Sequence, residues 1–212
     1  KQAYRAFNTQ HLAEDTPADD EIVLTSGKSY SNVFHANGGS ASFSVMANTL
    51  RGVYGTDVLL ATANSFTGSV LQADYNKKMA ASMIMPNGLM SRRRTMTGAE
   101  LKETVRAFVE GCEGGFVPFN RGSLPVVSGI AVEVKEASGS YTLTGITRNG
   151  QPLKDDDTVT VTCLAAEKQM EALLASESGT SLDGDTWVKN TWRDYISGGA
   201  ALAEPENYIT LR

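Results

Sequence analysis

The sequence predicts an α+β fold of mixed helix and sheet layers. Helical and strand periodicities interleave through its first half, a run of period-two strands follows from Val126, and helical periodicity returns after Cys163. The 212 residues, 41% of them hydrophobic and 20% charged, suffice for one core or two small ones. Its 20 glycines and 6 prolines are scattered in turn positions, which excludes a collagen-like or low-complexity chain.

Ala3, Tyr4, Phe7, His11 and Leu12 fall at helical spacing, and the acidic stretch from Glu14 to Glu21 breaks that pattern. Ile22-Val23-Leu24 reads as a strand. Phe43, Met46, Ala47 and Leu50 recur at i, i+3, i+4 and i+7, predicting a helix over 42–51. Val58 to Ala61 is continuously apolar, as in a strand covered on both faces, so it is expected to be central in its sheet. Asp74 is expected to cap a short helix carrying Met79 and Ala80. Thr97-Gly-Ala-Glu100 has the form of a capping box, with Leu101, Val105, Phe108 and Val109 on one face behind it and Gly111 at the end.

From Val126 the period is two. Ile130, Val132 and Val134 lead through Ser138-Gly139 into a second strand, and Asn149-Gly150 marks another turn. Val159, Val161 and Cys163 then predict a half-buried strand. Helices are expected at 165–174 and 185–196, the latter with Trp192 in the core and Trp187 at its rim.

The chemical inventory is narrow. With two histidines (His11, His35) and two cysteines (Cys112, Cys163), neither a dinuclear imidazole site nor a four-cysteine zinc site is available, and a disulfide and two buried thiols both remain open. The net charge of −5 excludes a broad duplex-binding face, and no apolar run spans a bilayer, so neither nucleic acid nor a membrane span is expected. The opening residues lack both Met and the features of a signal peptide, so the chain reads as a mature product or a piece of a longer one.

Several motifs resolve into ordinary structure. Ser26-Gly27-Lys28-Ser29 imitates a phosphate loop, but the earlier glycine is Ile22, so a turn with an exposed lysine is the better reading. No Gly-x-Ser-x-Gly elbow exists, leaving a hydrolase built on the native Ser and His residues a distant third hypothesis. Asp155 to Asp157 and Asp183-Gly-Asp185 lack the ligand spacing of a calcium loop. Arg92-Arg93-Arg94 reads as a mixed or edge strand with snorkelling side chains, or as an anion contact.

Five motifs in order resemble the C-terminal domain of the 5'-nucleotidases, the family of UDP-sugar hydrolase and ecto-5'-nucleotidase. Residues 43–51 resemble its helix G-N-L-x-A-D-A-x-R, residues 57–64 its strand A-D-x-A-L-x-N, and Met96 to Leu101 its L-T-G-x-x-L. Pro125 to Ile130 and Asn149 to Leu153 resemble its S-G-L and N-G-x-P-L segments. The resemblance places the domain at 42–212, preceded at 1–41 by a helix and strand leading from an upstream domain, the whole forming one unit. It implies four layers of helices and mixed sheets that hold a nucleotide or nucleoside. It further implies an N-terminal metallophosphoesterase domain with two divalent metal ions, outside this chain, and an extracellular or bacterial cell-envelope location.

The family's binding residues are only partly retained. Asn64 matches the start of N-G-G-x-R, Ser69 stands where that motif has its arginine, and Asn87 replaces the phenylalanine of P-F. Ala165 to Met170 replaces the segment carrying the second stacking ring, and Phe66 is a nearby aromatic. The expected substrate-binding residues are therefore Asn64, Phe66, Ser69 and Asn87, with no cofactor in this chain and no hydrolysis by it alone. The alternative is a noncatalytic binding module with a degenerate nucleotide pocket.

Overall fold

The computed structural model describes residues 21–85, 88–110, 124–166, 179–183 and 186–212. Asn87, Gly111, Cys112 and the helices expected at 3–14 and over most of 165–174 lie outside them. Chain order begins with β1 (Ile22–Ser26), α1 (Ala41–Tyr54), β2 (Val58–Thr62), β3 (Ala73–Asn76) and α2 (Lys77–Ala81). It continues with β4 (Leu89–Thr97), α3 (Gly98–Glu110), β5 (Pro125–Ser128), β6 (Ala131–Ala137), β7 (Ser140–Arg148) and β8 (Gln151–Pro152). The last elements are β9 (Thr158–Ala166), β10 (Thr180–Ser181), β11 (Thr186–Trp187), α4 (Val188–Ser197) and β12 (Ile209–Leu211).

Among the described residues the largest sheet runs β10-β4-β9-β2-β5, with β11 also on β4. β2 is parallel to β9 and antiparallel to β5, an interior position consistent with its continuous apolar sequence. A second sheet, β12-β6-β7-β8, is built on the hairpin turned by Ser138 and Gly139. α3 packs on both β4 and β7, wedged between the two sheets, while α1 packs on β2 and β5 and α4 on β4 and β11. The result is a layered helix-sheet-helix-sheet stack with one apolar core through it.

Local chemistry fixes the helix starts. Ser40 caps α1 by accepting from the Phe43 amide, and Gly55, at φ 63°, ends it in the left-handed conformation. The capping box forms: Glu100 accepts the Thr97 amide at 2.7 Å while Thr97 Oγ1 accepts the Glu100 amide at 3.2 Å. α4 buries Val188, Trp192 and Ile196, and Trp187 is 49% exposed at its rim.

Several expectations are corrected. Asn76, not Asp74, caps α2, because Asp74 lies in β3 and accepts the Thr25 hydroxyl instead. The strand containing Cys163 is buried on both faces from Val161 to Ala165; Thr162 is accommodated by its hydroxyl contact with Thr56 at 2.9 Å. That strand also runs through Ala165 and Ala166, where a helix start was expected. The arginine run lies in β4, an interior strand between β9 and β10/β11, rather than at an edge. Apart from these corrections, the β1–β3 pairing and the bond from the Ser42 amide to Ser31 O join residues on either side of Ser42.

Candidate functional site

Because β2 and β9 are parallel, their C-terminal ends emerge at one edge of the larger sheet, where antiparallel β4 begins. The loop carrying Asn64 to Ser69 leaves β2 at this edge through a single 3-10 turn, Ala63–Ser65. It is fastened on each side. The Ala63 amide donates to Leu124 O, the Thr67 amide to Met83 O and the Met85 amide to Ser65 O. Beyond Gly68, whose φ of 62° reverses the chain, Ser42 Oγ donates to Gly68 O and accepts the Val70 amide. A loop held at this many points presents its side chains from a rigid base.

Those side chains divide by direction. Asn64, Thr67 and Ser69 are exposed. Ser69 Oγ accepts the Asn32 amide and donates to Asn32 Oδ1, both at 3.2 Å, so its hydroxyl is shared with a neighbouring loop. Ser65 is buried, and its hydroxyl has no hydrogen-bond partner among the described residues. Phe66 is 5% exposed and stacks on Phe43 with ring centroids 6.1 Å apart. The structure thus places this expected substrate-binding residue in the core, where burial rewards its apolar side chain, with α1 on one face of the ring. This edge offers neutral hydrogen-bonding groups at Asn64 and Ser69, without a guanidinium on the loop.

The opposite end of β2 carries a charged cluster that motif reading did not single out. Asp57 Oδ2 accepts the Thr160 amide at 2.8 Å and the Thr160 hydroxyl at 2.9 Å, and Oδ1 accepts Arg148. Burial alone would raise the Asp57 carboxyl. The Thr160 hydrogen bonds, with Arg148 and Arg51, outweigh it and hold the group below the ordinary carboxylate range. Arg51 donates from Nε to Ser128 Oγ at 2.8 Å and from Nη1 to Asp57 O at 3.4 Å. Asn48 accepts the other side of Ser128 and donates to Glu204 O. Gly129 must be glycine here, because at φ 82° a Cβ would sit 2.0 Å from Asp57 O. Arg51 and Asp57 stood within quoted motifs, but Arg148 reaches them only through the fold.

No family model matches the chain, and no curated protein does. Solved structures do. A 5'-nucleotidase precursor from Thermus thermophilus superimposes with a TM-score of 0.70 at 14% identity, over 98% of this chain and 42% of that one. The fold is that of the 5'-nucleotidase C-terminal domain. The Haemophilus influenzae NAD nucleotidase aligns over 100% of this chain and 42% of its own, with a TM-score of 0.65 and 15% identity. The sulfate thiohydrolase SoxB of Thermus thermophilus aligns over 99% and 38%, with a TM-score of 0.68 and 14% identity. This chain thus spans about two fifths of the structures it matches. The same architecture serves a nucleotidase and a sulfate thiohydrolase, so the ligand has to be argued from the site.

Proposed function

We propose that this chain is the substrate-binding C-terminal domain of a 5'-nucleotidase-like phosphohydrolase. Nucleotide phosphoester hydrolysis is then carried out by a metallophosphoesterase domain outside the chain, which holds the two divalent metal ions. The observation that carries this reading is the match over nearly all of this chain but only about two fifths of its neighbours. An extracellular or cell-envelope location belongs to the same proposal, and no described helix is long and apolar enough to cross a membrane.

Within that division of labour, this domain binds and orients. Asn64 supplies amide donors and an acceptor at the exposed end of the loop, and Ser69 supplies a hydroxyl. Neutral groups at a solvated rim contribute about 0.5–1.5 kcal/mol each, less than the charge-assisted bonds of an arginine. Binding of a nucleotide at this edge is accordingly weak.

A second reading, a noncatalytic module with a degenerate nucleotide pocket, is favoured by two observations: Ser69 is already bonded to Asn32, and Phe66 is committed to Phe43. Calorimetric titration with adenosine, AMP and UDP-glucose separates the readings. The first predicts saturable binding of at least one of them, weakened about fivefold by Asn64→Ala through loss of one hydrogen-bonding group. Absence of heat with all three at millimolar concentration sinks it and leaves the second.

A further inference from the structure

At the opposite end of β2 from Asn64, a cleft of about 520 Å³ opens between Asp57, Arg148, Asn149, Arg51, Glu206 and Asn207. Its charges are unequally committed. Both oxygens of Asp57 are filled from within the protein, by Thr160 and by Arg148. Arg51 and Arg148, with side chains 29% and 28% exposed, both lean on this one residue. Two guanidinium groups against one committed carboxylate leave a positive charge facing the cleft.

The charge that offsets it is Glu206, and Glu206 is held loosely. Its carboxylate lies 3.8 Å from Arg51 Nη2, beyond hydrogen-bond distance, and its side chain is 55% exposed. Arg148 lines the cleft and directs one of the five N–H donors of its guanidinium to Asp57. The arrangement is a two-guanidinium seat with a weak, displaceable carboxylate resting on it.

We propose that this cleft is a binding site for a phosphoryl group, free or carried on a small polar ester of sugar-phosphate size, which displaces Glu206 from Arg51. A tetrahedral oxyanion can accept from both guanidinium groups at once, and planar donor forks suit that geometry. The cleft exceeds a bare phosphate in volume, and Asn149 and Asn207 are among the residues lining it, polar neighbours suited to hydroxyl groups. The site is separated from the Asn64 edge by the full length of β2.

Calorimetric titration of the chain with inorganic phosphate and with glucose 6-phosphate, in dilute chloride buffer, tests this. Saturable binding is expected, tightened about threefold by Glu206→Gln, which removes the competing carboxylate, and weakened about fivefold by Arg148→Lys, which keeps a charge on Asp57 but loses the fork. Tighter binding of glucose 6-phosphate than of phosphate assigns the cleft to an ester, and equal binding assigns it to the free ion. The gain in Glu206→Gln cannot come from misfolding. No saturable heat with either probe at millimolar concentration, or binding unchanged in both variants, overturns the proposal.

Discussion

Replacing Phe66 with leucine separates a core ring from a ligand-stacking one. The side chain is 5% exposed and one face lies against Phe43 at 6.1 Å, so its volume and its aromatic pairing are both spent inside the protein. Reshaping a packed core position costs up to about 1.5 kcal/mol, and losing an aromatic pair adds about 0.5–1.5 kcal/mol. The expected loss is about 2 kcal/mol, small enough for a domain with a typical stability of ~5–15 kcal/mol to remain folded. Urea denaturation followed by tryptophan fluorescence should show a lower midpoint with an unchanged slope, and AMP titrations of the folded variant should agree with the parent within about twofold. A stability change below about 0.5 kcal/mol together with a tenfold loss of AMP affinity would refute the reasoning, since those are the marks of a ring that touches ligand.

Single groups carry the other predictions. Asp57 and Glu100 are held below their ordinary values, Glu100 first by the Thr97 amide and then by the Gly179 amide, with the Thr97 hydroxyl third. Groups with depressed folded values stabilise the protein fully above their unfolded values, near pH 4, and lose that contribution as pH falls through the folded ones. Asp57→Asn should therefore lower stability at pH 7 by about 1–2 kcal/mol and Glu100→Gln, whose carboxylate is screened by solvent, by less than about 1 kcal/mol, each flattening the decline as pH falls below about 4, measured by urea titration across pH. Burial pushes the Cys163 thiol up to about 12, so a thiol reagent at pH 8 should leave it unmodified in the native protein and label it in denaturant, as read by peptide mass mapping. Trp192→Phe removes the indole N–H that donates to Ala80 O at 2.8 Å, leaves that carbonyl with the Met83 amide, and trims a fully buried ring, with an expected loss of about 1–3 kcal/mol in thermal or urea unfolding.

How much of this could be read from the sequence depended on whether a signal was local. The capping box at Thr97 and Glu100 and the apolar face of α1 are encoded within a few residues, and both appear at the expected positions. The choice between Asp74 and Asn76 as a cap was not local, because the Thr25 hydroxyl on β1 claims Asp74. Thr162 looks like a solvent-facing residue in an alternating strand until Thr56 is brought to it by the fold. At the candidate site, Asn64 and Ser69 face solvent, but nothing in the order Asn-Ser-Phe tells which way a lone ring turns; the packing of α1 decides that. The Arg51, Asp57 and Arg148 cluster joins α1, the start of β2 and the end of β7, three segments related only by tertiary structure.

In the proposed division of labour this domain holds a substrate while another domain performs the chemistry. Phosphate release from AMP with a divalent metal, measured for this chain alone and for the longer protein carrying the upstream domain, tests it most directly. Release is expected from the longer protein and none above background from this chain. Release by this chain alone, or none by the longer protein with any nucleotide, would contradict it.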